Sequence, residues 1–144
     1  MKRHFFFLAA LLLIGTGSCK KHHVVPKVAP PHWTMDQTGK YSSSMTVVVQ
    51  IPPNIRPYVQ KTDQIGAFIH DECRGVGTLV EAGTVSAFFI LIHGTASEQS
   101  KISFQYYSSW KSYLYETSAF LDFTADGTYG TADVPQILNL VPVR

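Results

Sequence analysis

Side chains that could bind a metal ion or act in catalysis are concentrated in one short run near the middle of the chain. His70, Asp71, Glu72 and Cys73 are consecutive, and His93 follows later. All are metal-ligand types, but they lack the spacing of a recognised motif, such as two histidines four positions apart on a helix. The chain also lacks the Gly-x-Ser-x-Gly sequence of a nucleophile elbow. We therefore predict a polar turn, and a small metal-dependent hydrolase is only the second alternative function.

A second run of oxygen-bearing side chains imitates a calcium loop. Asp122, Thr124 and Asp126 stand at its first, third and fifth positions, Gly127 at the sixth and Asp133 at the twelfth. Calcium loops of the EF-hand type carry a bidentate glutamate at the twelfth position and lie between two helices. Neither condition is met here. We interpret these residues as a glycine-containing turn and expect no cofactor.

The strongest indication of a binding site is a group of aromatic residues around one predicted hairpin. Exposed aromatic rings offer flat apolar faces that suit sugar rings or protein partners. The candidate ligand-binding residues are Tyr107, Trp110, Tyr113 and Tyr115. The competing interpretation is that Tyr106, Tyr113 and Tyr115 face the core and that Trp110 covers one end of the domain.

Alternation of apolar and polar residues predicts that strands position these groups. Residues 45–51, 65–69 and 102–106 alternate with a period of two, which is typical of strands with one buried face. Residues 85–92 are apolar on both faces and too few for a typical helix, so we predict a central strand that is covered on both sides. Together with the turns, the pattern predicts an all-β domain: an antiparallel, immunoglobulin-like β-sandwich of about seven to eight strands.

The predicted strands contain residues with specific structural roles. Gly66, Gly75 and Gly77 are expected where a backbone or an aromatic ring comes close. We expect Asp63 to cap the turn before its strand, and Arg74 to form a structural ion pair at a sheet edge. The candidate partners of the arginine are the nearby carboxylates Glu72, Asp71 and Asp63.

The N-terminal residues have the features of an export signal. Lys2 and Arg3 precede an apolar run of about ten residues, whereas a helix needs about 20 to cross a bilayer. Small residues then lead to Cys19. We interpret residues 1–18 as a signal peptide, residues 19–32 as a lipidated N-terminus with a proline-containing linker, and residues 33–144 as the β-sandwich domain.

Residues 16–19, Thr-Gly-Ser-Cys, resemble the lipobox of bacterial lipoproteins, and Ser-Cys-Lys-Lys is similar to sequences in lipoproteins of Bacteroides-like bacteria. The resemblance implies cleavage before Cys19, a diacylglyceryl group on its thiol and acylation of its amine. Several acyl chains hold a protein stably where one alone is marginal. The resemblance therefore implies a location in the cell envelope at the outer membrane. The domain faces either the periplasm or the cell surface, and both alternatives are open.

Three parts of the predicted domain together resemble a β-sandwich module that recurs in exported and surface proteins of Bacteroides-like bacteria. They are residues 41–46, residues 63–68 with 72–76, and residues 102–107. The resemblance extends over about residues 33–141. It implies the sandwich fold and an exported location. It does not imply an activity, because the module has no established catalytic function.

Charge and cysteine content restrict the function further. Of 12 Lys and Arg residues, Lys2 and Arg3 leave with the signal peptide, so ten basic residues balance ten acidic ones. This balance argues against a nucleic-acid partner. If Cys19 is lipidated, Cys73 has no disulfide partner within the chain.

The sequence thus predicts a membrane-anchored envelope lipoprotein that acts as a non-catalytic binding, adhesion or assembly module. Its expected partners are the membrane, through the lipid anchor, and a glycan or an envelope protein. A glycan-binding accessory protein that uses the aromatic hairpin is the first alternative.

Overall fold

The chain, seen in a computed structural model that describes residues 24–83 and 85–144, forms two β-sheets that enclose one apolar core. The β1 sheet contains β1 (Ser43–Gln50), β4 (Thr78–Ala82), β5 (Val85–Gly94), β9 (Thr128–Tyr129) and β10 (Gln136–Ile137). The β6 sheet contains β2 (Gln64–Ile69), β3 (Glu72–Val76), β6 (Lys101–Ser108), β7 (Tyr113–Thr117), β8 (Leu121–Asp122) and β11 (Leu140–Pro142). A 3-10 turn, Arg56–Tyr58, lies between β1 and β2. The predicted all-β sandwich is confirmed.

Alternating apolar residues from both sheets build the core. In the β1 sheet, Val47 of β1 is opposite Ile90 of β5, and both are essentially inaccessible to solvent. In the β6 sheet, Ile65 of β2 is opposite Tyr106 of β6, and both are again fully buried. The period-two pattern of the sequence thus becomes the inner face of each sheet, and hydrophobic burial holds the two faces together.

The strand order is that of an immunoglobulin-like sandwich. The order β4-β5-β1 in one sheet and β3-β2-β6-β7 in the other corresponds to strands D-E-B and C′-C-F-G of that fold. The edge beside β1, where strand A would lie, is instead occupied by β9 and β10, which run parallel to β1. Seven strands have five or more residues, and four shorter ones bring the number in the described residues to eleven rather than seven to eight.

One expectation about an individual strand was wrong. The strand β5 is central in its sheet but is not covered on both sides, since Leu91 is 48% exposed and Phe89 is only half-buried. Near the C-terminus, the chain forms two short strands, of which β10 pairs with β1 in one sheet and β11 pairs with β7 in the other. Short apolar runs of this kind have no periodicity that would separate the two partners.

Gly66, Gly75 and Gly77 lie where another part of the chain comes close, as the sequence predicts. A Cβ at Gly75 would come within 2.7 Å of the Leu91 carbonyl oxygen, and one at Gly66 would meet the rings of Phe68 and Trp33. A Cβ at Gly77 would overlap the Ile65 side chain. Gly77 lies between β3 and β4, where the chain passes from one sheet to the other, so this passage depends on the absent side chain.

The N-terminal segment lies against the outer face of the β6 sheet. The Trp33 ring packs edge-on against Phe68, with ring centroids 5.6 Å apart. Further towards the N-terminus, the Val28 amide donates a 2.8 Å hydrogen bond to the Ser112 carbonyl in the β6–β7 turn. Part of the predicted linker therefore contacts the domain.

Replacing Gly77 by alanine is expected to destabilise the domain by about 1–3 kcal/mol, because the added methyl group would overlap Ile65 and press on Ile90. Urea unfolding measures the loss. Gly83→Asn is the matched control, since the space around Gly83 is open and asparagine tolerates its φ of 61°. Equal losses in the two variants would contradict the packing explanation.

Candidate functional site

The most exposed part of the aromatic hairpin is its turn. Trp110 lies between β6 and β7 and is 56% exposed. Its indole stacks on the ring of Tyr58, with centroids 4.5 Å apart and planes 5° from parallel. Lys111 Nζ lies 5.5 Å from the centroid of each ring. We call Tyr58 and Trp110 the aromatic stack.

The other three candidate residues do not join Trp110 on the surface. Tyr107 and Tyr115 are buried, at 2% and 6% exposure, and Tyr113 is half-buried against the core. Tyr115 is directly opposite Tyr106 in the β6–β7 pairing, so its ring points into the core. Of these four residues, Trp110 alone offers an exposed ring.

Tyr58 was missed in the sequence. It is 41% exposed and belongs to the 3-10 turn after β1, far from Trp110 along the chain. Only the packing of the β1–β2 connection against the hairpin brings the two rings together. The available signal was Pro57, which favours a turn and therefore an exposed neighbour.

A buried carboxylate fixes the position of the stack. Asp63 is 7% exposed and accepts hydrogen bonds from the Ser109 amide at 2.8 Å and the Ser109 hydroxyl at 2.6 Å. It also accepts from the Gln60 amide at 3.0 Å, which confirms the predicted turn cap, and from the Tyr106 hydroxyl. One side chain thus joins the connection that carries Tyr58 to the turn that carries Trp110.

The environment of Tyr106 keeps its hydroxyl protonated. Burial raises the pKa of this phenol far above its usual range, and the hydrogen bond to Asp63 raises it further. A protonated phenol donates to the carboxylate, whereas a phenolate would repel it. The link between the core and the turn therefore depends on the proton of Tyr106.

An open groove of about 440 Å³ adjoins Asp63 at the same end of the sandwich. It is lined by Lys61, Asp63, Gly77, Thr78, Leu79 and Glu81. Lys61 and Glu81 form an exposed ion pair across 3.8 Å. Both side chains are exposed, at 85% and 58%, and exposed pairs of this length contribute little to stability.

The opposite end of the sandwich carries a network of ion pairs. Arg74, the extra residue of a bulge in β3, lies 3.8 Å from the Tyr41 ring centroid, and its Nη1 lies 3.5 Å from Glu98. Its Nε is 3.2 Å from Glu72, close enough for an ion pair though not aligned as a hydrogen bond. Glu72 was among the predicted partners. Lys40 lies 2.8 Å from Glu72, and the Tyr41 hydroxyl donates to the same carboxylate at 2.7 Å. Lys40, followed by the Tyr41 hydroxyl, lowers the pKa of Glu72 to about 2. These contacts join the N-terminal segment to β3.

Within the polar run of residues 70–73, the first two residues form the predicted turn and the last two begin β3. His70 and Asp71 have positive φ values of 49° and 64° and make the tight β2–β3 turn. Cys73 is half-buried, and burial raises the pKa of its thiol. Among the described residues, no group of three or more His, Cys, Asp or Glu side chains is arranged to hold a metal ion.

The residues that imitate a calcium loop are also used structurally. Asp122 forms a 2.5 Å ion pair with Lys101 across the β6–β8 pairing. The Asp126 amide donates to the Ser44 carbonyl at 2.8 Å. Asp133 lies in a separate turn that is closed by a 3.1 Å bond from the Thr131 amide to the Val134 carbonyl.

Neither a protein-family model, nor a curated protein, nor a solved structure matches this chain. The predicted lipidation site, Cys19, lies outside the described residues. Within residues 24–83 and 85–144, no helix has the length and hydropathy needed to cross a bilayer. The function of the aromatic stack is therefore inferred from its geometry and from the residues that position it.

The free energy of unfolding is expected to fall as the pH rises above about 10, the pH at which an exposed tyrosine ionises. The folded domain holds Tyr106 protonated beyond that pH, so the unfolded state binds fewer protons there. Stability that is present below about pH 10 is therefore lost as the pH approaches the folded-state pKa. Urea unfolding between pH 8 and pH 11, followed by circular dichroism, measures this effect.

The Tyr106→Phe variant is the control for the alkaline effect. It should be less stable at pH 8, because Asp63 loses a buried donor. Its stability should then decline less steeply at high pH, and the slope should not vanish, because the pKa values of Tyr41 and Tyr115 are also raised. Equal slopes in both proteins would contradict the role of Tyr106.

Proposed function

We propose that the chain is a non-catalytic contact module of the bacterial cell envelope, anchored in a membrane through lipid on Cys19. The observation that carries the proposal is the aromatic stack. Trp110 is 56% exposed and Tyr58 is 41% exposed, and Phe120 is the only other exposed aromatic side chain among the described residues. Exposed tryptophan and tyrosine rings are typical of surfaces that bind a partner.

The residues that position the aromatic stack support a role in binding a partner. Asp63 binds the turn of Trp110 through Ser109, and the Thr62 and Ser109 hydroxyls lie 2.7 Å apart beside it. A surface that is already ordered loses little conformational freedom when it binds. The stack is thus suited to recognise a partner without rearrangement.

Envelope anchoring is supported by the sequence. Residues 16–19 resemble a lipobox, and the apolar run before them has the length of a signal-peptide core. A lipid-anchored domain acts at the surface to which it is attached. A contact surface is a more economical explanation of this domain than a catalytic one, since no catalytic motif accompanies the stack.

Glycan binding by an envelope accessory protein is the second candidate. The outer face of a tryptophan ring stacks on sugar rings, and hydroxyl groups nearby hydrogen-bond to them. Thr62 supplies an exposed hydroxyl close to the stack, 2.7 Å from the hydroxyl of the half-buried Ser109. This candidate uses the same residues and differs only in the chemistry of the partner.

The mature protein isolated from its host membrane should begin at an acylated Cys19. Mass spectrometry of the N-terminal peptide measures the acyl groups. Cys19→Ala should abolish acylation and processing at this position, whereas Cys73→Ala, the matched control, should leave both unchanged. An unmodified cysteine at position 19 of the mature protein would contradict the anchor.

Contact through the aromatic stack is tested by photo-crosslinking in intact cells. Trp110→p-benzoylphenylalanine keeps an aromatic ring at the stack and should form crosslinks to an envelope component. The matched control replaces Val134, which is 65% exposed and belongs to a turn outside the stack. Equal yields at the two positions would contradict a contact role for the stack.

The glycan candidate is tested by fluorescence. Trp33→Phe leaves Trp110 as the sole tryptophan, because the chain has only two. A glycan ligand should shift the Trp110 emission at saturating concentration, and the response should disappear when Tyr58→Ala is added. No response across a panel of envelope glycans would exclude this candidate.

A further inference from the structure

The N-terminal segment reaches the domain beside the aromatic stack. We call the end of the sandwich where β2 begins, β6 ends and β7 begins the hairpin end. There the Val28 amide donates to the Ser112 carbonyl, two residues after Trp110. Cys19 precedes Val28 by nine residues, and nine extended residues span at most about 30 Å. A lipid on Cys19 would therefore keep the hairpin end within about 30 Å of a bilayer.

The hairpin end carries lysines whose charges are weakly compensated by carboxylates. Lys27 adjoins Val28, Lys111 adjoins Trp110, and neither belongs to an ion pair among the described residues. Lys61 has only its exposed 3.8 Å pair with Glu81. The Asp63 carboxylate is buried and occupied by hydrogen bonds.

At the opposite end of the sandwich, the cations are paired closely with carboxylates. Its cations Lys40, Arg74 and Lys101 each lie within 3.2 Å of a carboxylate, with Glu72 and Asp122 among the partners. Their charges are compensated within the domain. Anionic surfaces should therefore attract the hairpin end in preference to the opposite end.

The aromatic stack has the chemistry of a membrane interface. Tryptophan and tyrosine prefer the head-group layer, because their rings are apolar and carry one polar group. Lysine extends its ammonium towards phosphate while its methylene groups cover apolar surface. Lys111 Nζ lies 5.5 Å from the centroids of both Tyr58 and Trp110, so the rings and the ammonium would enter the same layer.

We propose that the hairpin end docks on a lipid bilayer that contains anionic lipids, with Trp110 and Tyr58 in the head-group layer and Lys27 and Lys111 at its phosphates. This inference rests on the proposed function, because it takes lipid on Cys19 as the anchor, and it identifies the membrane as the partner of the stack. Three observations support it together: the position of the N-terminal segment, the uncompensated cations and the exposed rings. A soluble glycan or protein partner requires only the rings.

The test uses the mature lipidated protein with Trp33→Phe, so that Trp110 is the only tryptophan. The protein is reconstituted into vesicles of phosphatidylcholine alone, or of phosphatidylcholine with phosphatidylglycerol, each with and without brominated acyl chains. In anionic vesicles, bromine should reduce Trp110 emission by about twofold and the emission should shift to shorter wavelength. Added salt should weaken both effects, because it screens the lysines.

Paired lysine variants identify the cations that act. Lys27→Gln with Lys111→Gln should restore most of the Trp110 emission in brominated anionic vesicles, while the protein stays anchored through Cys19. Lys101→Gln, at the opposite end, is the matched control and should behave like the parent protein. Equal quenching in the parent, the double variant and the control would overturn the role of the hairpin-end lysines.

The outcomes separate this inference from the proposed function. If the protein remains on the vesicles but Trp110 responds only to aqueous acrylamide and not to brominated lipid, docking is overturned and the anchor stands. If Trp110 responds to a soluble glycan and to neither vesicle, docking is overturned in favour of glycan binding. If the mature protein carries no acyl groups, the proposed function fails and docking fails with it.

Discussion

The position of the exposed aromatic stack depends on one buried carboxylate. Asp63 accepts hydrogen bonds from Tyr106 in the core, from Ser109 in the turn and from Gln60 in the connection before β2. A buried carboxylate without partners, or buried donors without the carboxylate, would cost several kcal/mol. Since each group needs the others, the core, the turn with Trp110 and the connection form one rigid unit.

The sequence predicted those parts of the fold in which burial alternates. Strands such as β1 and β6 have eight residues each, and their core side chains recur at every second position, so their period of two is visible without a structure. Strands β8 to β11 have only two or three residues. The partner of each short strand depends on which strand of a sheet lies nearby in the fold. A short stretch of sequence does not contain that information. The exposed Leu91 in β5 shows the converse, an apolar residue that no layer covers.

The candidate site was predicted at the one residue whose exposure follows from local structure. Trp110 lies in a turn, where burial is difficult, whereas the tyrosines beside it lie in strands, where either face can be the inner one. Their spacing shows which rings share a face but not whether that face is buried. Tyr58 is part of the stack only because the connection after β1 folds back on the hairpin, and sequence separation hides this contact.

The parallel strands at the edge of the β1 sheet affect how the chain matures. Val49 in β1 pairs with Gln136 in β10, so this ladder closes a loop of more than half the chain. Long loops form slowly, and an unpaired strand edge invites association with other chains in the meantime. Synthesis delivers the N-terminus first, so one edge of β1 stays open until β9 and β10, near the C-terminus, have been made. A chaperone that shields an open strand edge is therefore expected to favour the yield of this protein.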